Sequence, residues 1–215
     1  MNDYIKGILT GASLILCFFM LVSAKSQDKN LGDITVDSIT VLNEEGKRSI
    51  ILTTLRGEGH LMTRNADGNL TATIGSLDGL GFIGTYGVDG NLTVRLGSNQ
   101  KNVGALQLSN ADGKTSVELG VNEFGNGIFR TFNTDGNLTV RLGSNQKNVG
   151  ALQLSNADGT KSVVLGGSKG GGGHLETYSK HEVLTGYFGT NTENDGMAAL
   201  NDRYGDEGWS AWGKK

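Results

Sequence analysis

The sequence predicts an all-β chain of tandem hairpins, 22–23 residues each, stacked as a β-solenoid or an elongated meander behind one N-terminal apolar helix. Three observations predict it. Asp-Gly pairs recur at 67/68, 89/90, 112/113, 135/136 and 158/159, in steps of 22 or 23. The residues flanking each pair alternate apolar and polar with the period of a half-buried strand. Residues 89–113 return unchanged as residues 135–159, an offset of 46 that marks internal duplication.

Each repeat reads as a hairpin. In the unit centred on Asp112 the turn is Asn110-Ala111-Asp112-Gly113, with Asn and Gly at the first and fourth positions of a type I turn. A glycine in the left-handed region after such a turn makes the bulged three-residue connection. Glu45-Gly46 extends the series backwards by 22 and His181-Glu182 forwards by 23; Asp206-Glu207-Gly208 reads as a final, irregular member. Eight units then occupy residues 34–213.

The alternation assigns faces. Six residues before each Asp or its equivalent stand Ile39, Leu61, Ile83, Leu106, Phe129, Leu152 and Leu175. Seven after it stand Leu52, Ile74, Leu96, Leu119, Leu142, Leu165 and Phe188. These define an inward face, because a one-residue slip would turn all of them to water. Four residues after the Asp stand hydroxyl residues from Ser49 to Ser210, expected on the opposite face. Three before it, Leu42, Tyr86, Phe132 and Tyr178 occupy alternate units, a second layer with a period of 46. The last unit carries Tyr204, Trp209 and Trp212, expected to form an aromatic cap on the open end of the stack.

Residues 8–24 form an uncharged, mostly apolar run, apolar all round between positions 14 and 22. That pattern reads as an export or membrane-targeting segment over residues 1–24. Val22-Ser23-Ala24 has the small-residue form of a signal-peptidase site, so the segment is either a cleaved signal or a retained anchor holding the chain to a membrane. Residues 25–33 read as a linker. The expected location is the cell envelope or the extracellular space.

Composition narrows the function. With 19 Lys+Arg against 22 Asp+Glu and no basic block, the chain lacks the footprint of a nucleic-acid binder. The one cysteine, Cys17, lies in the apolar segment, so nothing beyond it can form a disulfide or thiolate site. His60, His174 and His181 are too widely spaced for a short metal motif, although stacking brings His174 and His181 within a hairpin of each other. Turn chemistry accounts for the single Asp of each repeat without calcium. Residues 170–173 are four glycines with no Lys-Ser/Thr after them, which reads as a bent link between hairpins. Asn69, Asn91 and Asn137 open N-L-T triplets, glycan acceptors in a eukaryotic host. No nucleophile context, cofactor motif or metal motif is signalled, and no enzyme is expected.

Units such as GFIGTYGVDGNLTVRLG and GALQLSNADGKTSVELG resemble the short β-hairpin repeats of bacterial and phage surface proteins in length, turn and alternation. The resemblance implies an exported structural or adhesive surface module. The alternative expectation is a carbohydrate-binding module whose exposed face carries Thr93, Arg95, Thr139, Arg141 and Tyr187. A glycan or self-association are the partners these readings invite, with the oligomeric state left open.

Overall fold

The computed structural model describes residues 2–25, 33–98, 101–144, 148–168 and 170–213. The chain divides into two units, Met1–Asp37 and Ser38–Lys215. The first holds helix α1 (Asn2–Lys25). Its residues 4–20 are exposed. Among the described residues no helix is long and apolar enough to cross a membrane, which corrects the expectation of a transmembrane anchor at residues 8–24. Most of the linker expected at residues 25–33 lies outside the described residues.

The second unit is one antiparallel sheet of sixteen strands in strict sequence order. The first eight are β1 (Ile39–Leu42), β2 (Arg48–Leu55), β3 (Glu58–Arg64), β4 (Leu70–Leu77), β5 (Leu80–Tyr86), β6 (Leu92–Ser98), β7 (Gly104–Ser109) and β8 (Thr115–Val121). The rest are β9 (Gly127–Phe132), β10 (Leu138–Ser144), β11 (Gly150–Ser155), β12 (Lys161–Gly167), β13 (Gly173–Tyr178), β14 (Leu184–Thr190), β15 (Gly196–Asn201) and β16 (Glu207–Trp212). This is an elongated meander of successive hairpins, and β1 and β16 remain open edges.

The turns are those the repeat predicts. Gly113 lies at φ +77°, and its N–H donates to the Asn110 carbonyl at 3.0 Å. The Asn110 side chain accepts from the Lys114 N–H at 2.9 Å, closing the loop a second time. In the seventh unit Glu182 takes the glycine's place at φ +59°, a left-handed conformation that costs a side chain about 1–2 kcal/mol. The eighth turn is Asp202-Arg203-Tyr204-Gly205, with Gly205 at φ +95° donating to the Asp202 carbonyl. Tyr204, not Asp206, is therefore the equivalent of the repeated Asp. Ser210 then falls two positions beyond the hydroxyl series, and Gly208 occupies that place.

Links between hairpins are equally tight. Arg56-Gly57 and Asp78-Gly79 have both residues at positive φ, the conformation of a two-residue type I′ turn. The glycine run closes through Gly171, whose N–H reaches the Ser168 carbonyl at 3.0 Å. His174 sits near the start of β13 while His181 lies in the turn beyond its end, so the two do not meet.

The large apolar residues do share a face, and each pairs with the next across the sheet: Leu96 with Leu106, Leu106 with Leu119, Leu119 with Phe129. That face is not inward. Leu96, Leu119 and Leu142 remain 50%, 52% and 52% exposed. The reason is topological, since every link returns the chain to the adjacent strand and none carries it across the face as a second layer.

The most buried side chains lie on the other face. Ile128, only 3% exposed, pairs with Gly120 on one side and Gly143 on the other; Ala105 pairs with Gly97 and Gly120. These glycines stand eight residues after each turn Asp and leave room for the neighbouring side chain to lie down. A Cβ on Gly97 would sit 2.4 Å from the Gly81 carbonyl oxygen and 2.8 Å from the Phe82 Cα. Gly97→Ala is thus expected to cost about 1–3 kcal/mol through backbone displacement, and Gly113→Ala about 1–2 kcal/mol through its left-handed φ. Urea denaturation of each variant measures both; unchanged midpoints would remove the close approach and the turn constraint from the account.

Candidate functional site

The face opposite the apolar ladder carries a central file of polar side chains. It runs Arg95 (β6), Gln107 (β7), Glu118 (β8), Arg130 (β9), Arg141 (β10) and Gln153 (β11), each the cross-strand partner of the next. Period-two alternation places them there, because each lies one residue from a member of the apolar ladder. Beyond Val164 the file continues through Glu176 and Tyr187.

Three of the five residues singled out from sequence fall on this file: Arg95, Arg141 and Tyr187. Thr93 and Thr139 do not. The bulge after each turn inserts one residue and swings their hydroxyls the other way. Thr93 Oγ1 lies 2.8 Å from Thr85 Oγ1, and Thr139 Oγ1 lies 2.7 Å from Thr131 Oγ1. Thr85 and Thr131 belong to the apolar side, being partners of Val94 and Val140. The threonines of the hydroxyl series, Thr71, Thr93, Thr139 and Thr185, are therefore bulge clips that hold turn geometry. The aromatic residues of the last unit also separate. Tyr204 is in the turn, Trp209 is on the apolar side opposite Leu200, and Trp212 is on the polar side opposite Met197.

The arginines differ in their surroundings. Arg95 is held by its own strand end, donating from Nη2 to the Ser98 carbonyl at 2.9 Å, with its guanidinium 5.8 Å from the Phe82 ring centre. Arg130 pairs with Glu118 at 3.3 Å. Arg141 stands directly beside Arg130, and its buried Nε has no hydrogen-bond partner.

Towards the C-terminal end the same face forms a groove of about 1010 Å³, lined in part by His174, Glu176, Tyr187, Asn201 and Trp212. His174 stacks on Tyr187 with ring centres 5.9 Å apart, and its Nε2 lies 3.8 Å from Glu176 Oε1. The Tyr187 hydroxyl donates to the Thr190 carbonyl at 2.8 Å. Tyr178 donates its phenol to Glu176 Oε2, and Lys161 Nζ lies 4.1 Å from the centre of its ring. Burial first, and then the Glu176 carboxylate, hold the Tyr178 phenol well above its ordinary value. Sequence reasoning missed Glu176, Glu118 and Arg130, and weighed His174 only as a metal ligand. The signal for the first three was the position five before each turn Asp, which pairs with the position six after it.

The turn edge has its own order. Asn91 Nδ2 donates to the Ala111 carbonyl at 2.8 Å and Asn137 Nδ2 to the Ala157 carbonyl at 2.9 Å, each reaching the next hairpin. Among the described residues no group of three or more His, Cys, Asp or Glu side chains is placed to hold a metal ion.

No protein-family model matches the chain, and no curated protein does. Among solved structures it is similar to the SAS-4 (dCPAP) TCP domain of Drosophila melanogaster, solved in complex with a proline rich motif of Ana2 (dSTIL). The identity is 12% over 86% of this chain and 94% of that one, with a TM-score of 0.35. At that level the reading rests on the chain's own residues.

Spectrophotometric titration checks the Tyr178 environment. Its phenol is expected to ionise after the other tyrosines, and Glu176→Gln to bring it down only part of the way, because burial remains. A Tyr178 that titrates with the others would remove the half-buried Tyr178–Glu176 pair.

Proposed function

We propose that the chain is an exported, non-enzymatic repeat protein that serves as a structural or adhesive module at the cell surface. The observation that carries this reading is a sheet one layer deep in which almost every side chain is surface. Sixteen strands at the usual spacing of about 4.8 Å make a sheet about 70 Å across its strands. A chain built this way devotes its residues to a long repeated display and not to an enclosed pocket. Helix α1, with an apolar segment too short to span a membrane, supports export, because it has the pattern an export receptor recognises.

A second reading has its own observation. The stacked His174–Tyr187 pair beside Glu176, Asn201 and Trp212 offers aromatic surface and hydrogen-bonding groups in one groove, the chemistry that suits a carbohydrate.

Localisation of the full chain with a C-terminal tag, combined with mass-spectrometric mapping of its N-terminus, tests export. The tag is expected outside the cytoplasm, with a first residue at Lys25 if the segment is cleaved; an intact tag confined to the cytoplasm would sink the proposal. A glycan array separates the readings. Saturable binding abolished by Tyr187→Ala, or by Arg95→Ala with Arg141→Ala, selects the carbohydrate module, and its absence selects the structural one.

A further inference from the structure

We infer that the apolar face of the sheet is an interface with the same face of a second copy of this chain. The inference goes beyond export and surface display and holds in any compartment.

Its first support is the face itself. From Ile39 on β1 to Phe188 on β14, every strand contributes a large apolar residue to one unbroken cross-strand ladder. The flanking ranks on this face, represented by Val94, Leu108, Val117, Val140 and Leu154, carry apolar or hydroxyl side chains and glycine. Among the described residues no charged side chain occurs in any of these ranks. A soluble chain seldom leaves so long a contiguous apolar surface in water.

The second support is area. A ladder of fourteen strands, about 62 Å long and about 12 Å wide, offers about 750 Å² per chain, close to the contribution each partner makes to a stable interface of standard size.

The third support is a file of glycines beside the ladder on the same face: Gly59, Gly81, Gly104, Gly127, Gly150 and Gly196. An added Cβ at any of them meets nothing within 4 Å, and none has a positive φ. Four of them open their strands, and the missing side chains leave this margin of the face flat. They contrast with Gly97 and Gly143, which the neighbouring strand itself demands. A flat margin of this kind lets another backbone approach closely from outside.

A second copy is the occupant that fits a ladder repeating at the strand spacing over fourteen strands. Only a surface with the same spacing stays in step along that length, and this chain supplies one. Related by a two-fold axis, two such faces pack as a sandwich with about 10 Å between sheets.

Thiol accessibility in the full chain, in a Cys17→Ser background, tests the inference. Leu142→Cys is expected to react with a maleimide at least tenfold more slowly than Asp112→Cys in an exposed turn, in a chain that sediments as a multiple of its own mass. Adding Leu119→Lys and Leu165→Lys is expected to return the chain to single mass and bring the two rates within twofold. These leucines are half exposed in the single sheet, and circular dichroism confirms that the strands persist. Equal rates at positions 142 and 112 would overturn the inference without reference to the lysine variants. So would slow labelling in a chain of single mass, which would assign the face to α1, or a multimer in which the thiol at position 142 stays reactive, which would place the contact elsewhere. Each outcome is independent of where the cell sends the chain.

Discussion

Everything in this sheet depends on the turn bulge that resets register once per hairpin. A type I turn followed by a left-handed glycine leaves one strand a residue longer than its partner. The pairing shifts accordingly, between Thr63 and Arg64 in one unit and between Leu108 and Ser109 in another. Because the shift recurs in every hairpin, side chains stay in files across all sixteen strands. The Thr–Thr clips at 63/71, 85/93 and 131/139 fasten the bulge, and the Asn91 and Asn137 amides tie one turn to the next. With no second layer to lock the strands, these local devices are what prevents slippage.

The two faces then follow different rules. On the polar side, glycines eight residues after each turn let Ala105 and Ile128 pack down, so burial comes from neighbouring strands alone. Polar side chains in the central file have to satisfy one another sideways, as Glu118 and Arg130 do. On the apolar side no such lateral burial is available, and the leucines remain half in water. One sheet therefore carries a self-contained surface and an incomplete one.

Much of this was legible in the sequence. Spacing and alternation foretold the hairpins, the αL glycines and the common face of Leu96, Leu119 and Leu142. Alternation alone does not say whether a face is covered, since that depends on where links lead, and here each leads only to the next strand. The bulge also defeats simple parity: Thr93 and Thr139 count as facing Arg95 and Arg141, yet one inserted residue turns them the other way. In the last unit Asp206 imitates the repeat, but it is Gly205 that takes the left-handed turn, which moves Ser210 out of the hydroxyl series.

The identical stretches at residues 89–113 and 135–159 have a consequence beyond packing. Each hairpin touches only its neighbours, so a block of 46 residues can be inserted or lost without disturbing the rest. Near-identical coding segments are also where recombination between misaligned copies occurs. One such block is a quantum of four strands, about 19 Å of sheet, and both faces keep their pattern across it. The length of the sheet is thereby set by the number of copies, with no new residue having to be invented.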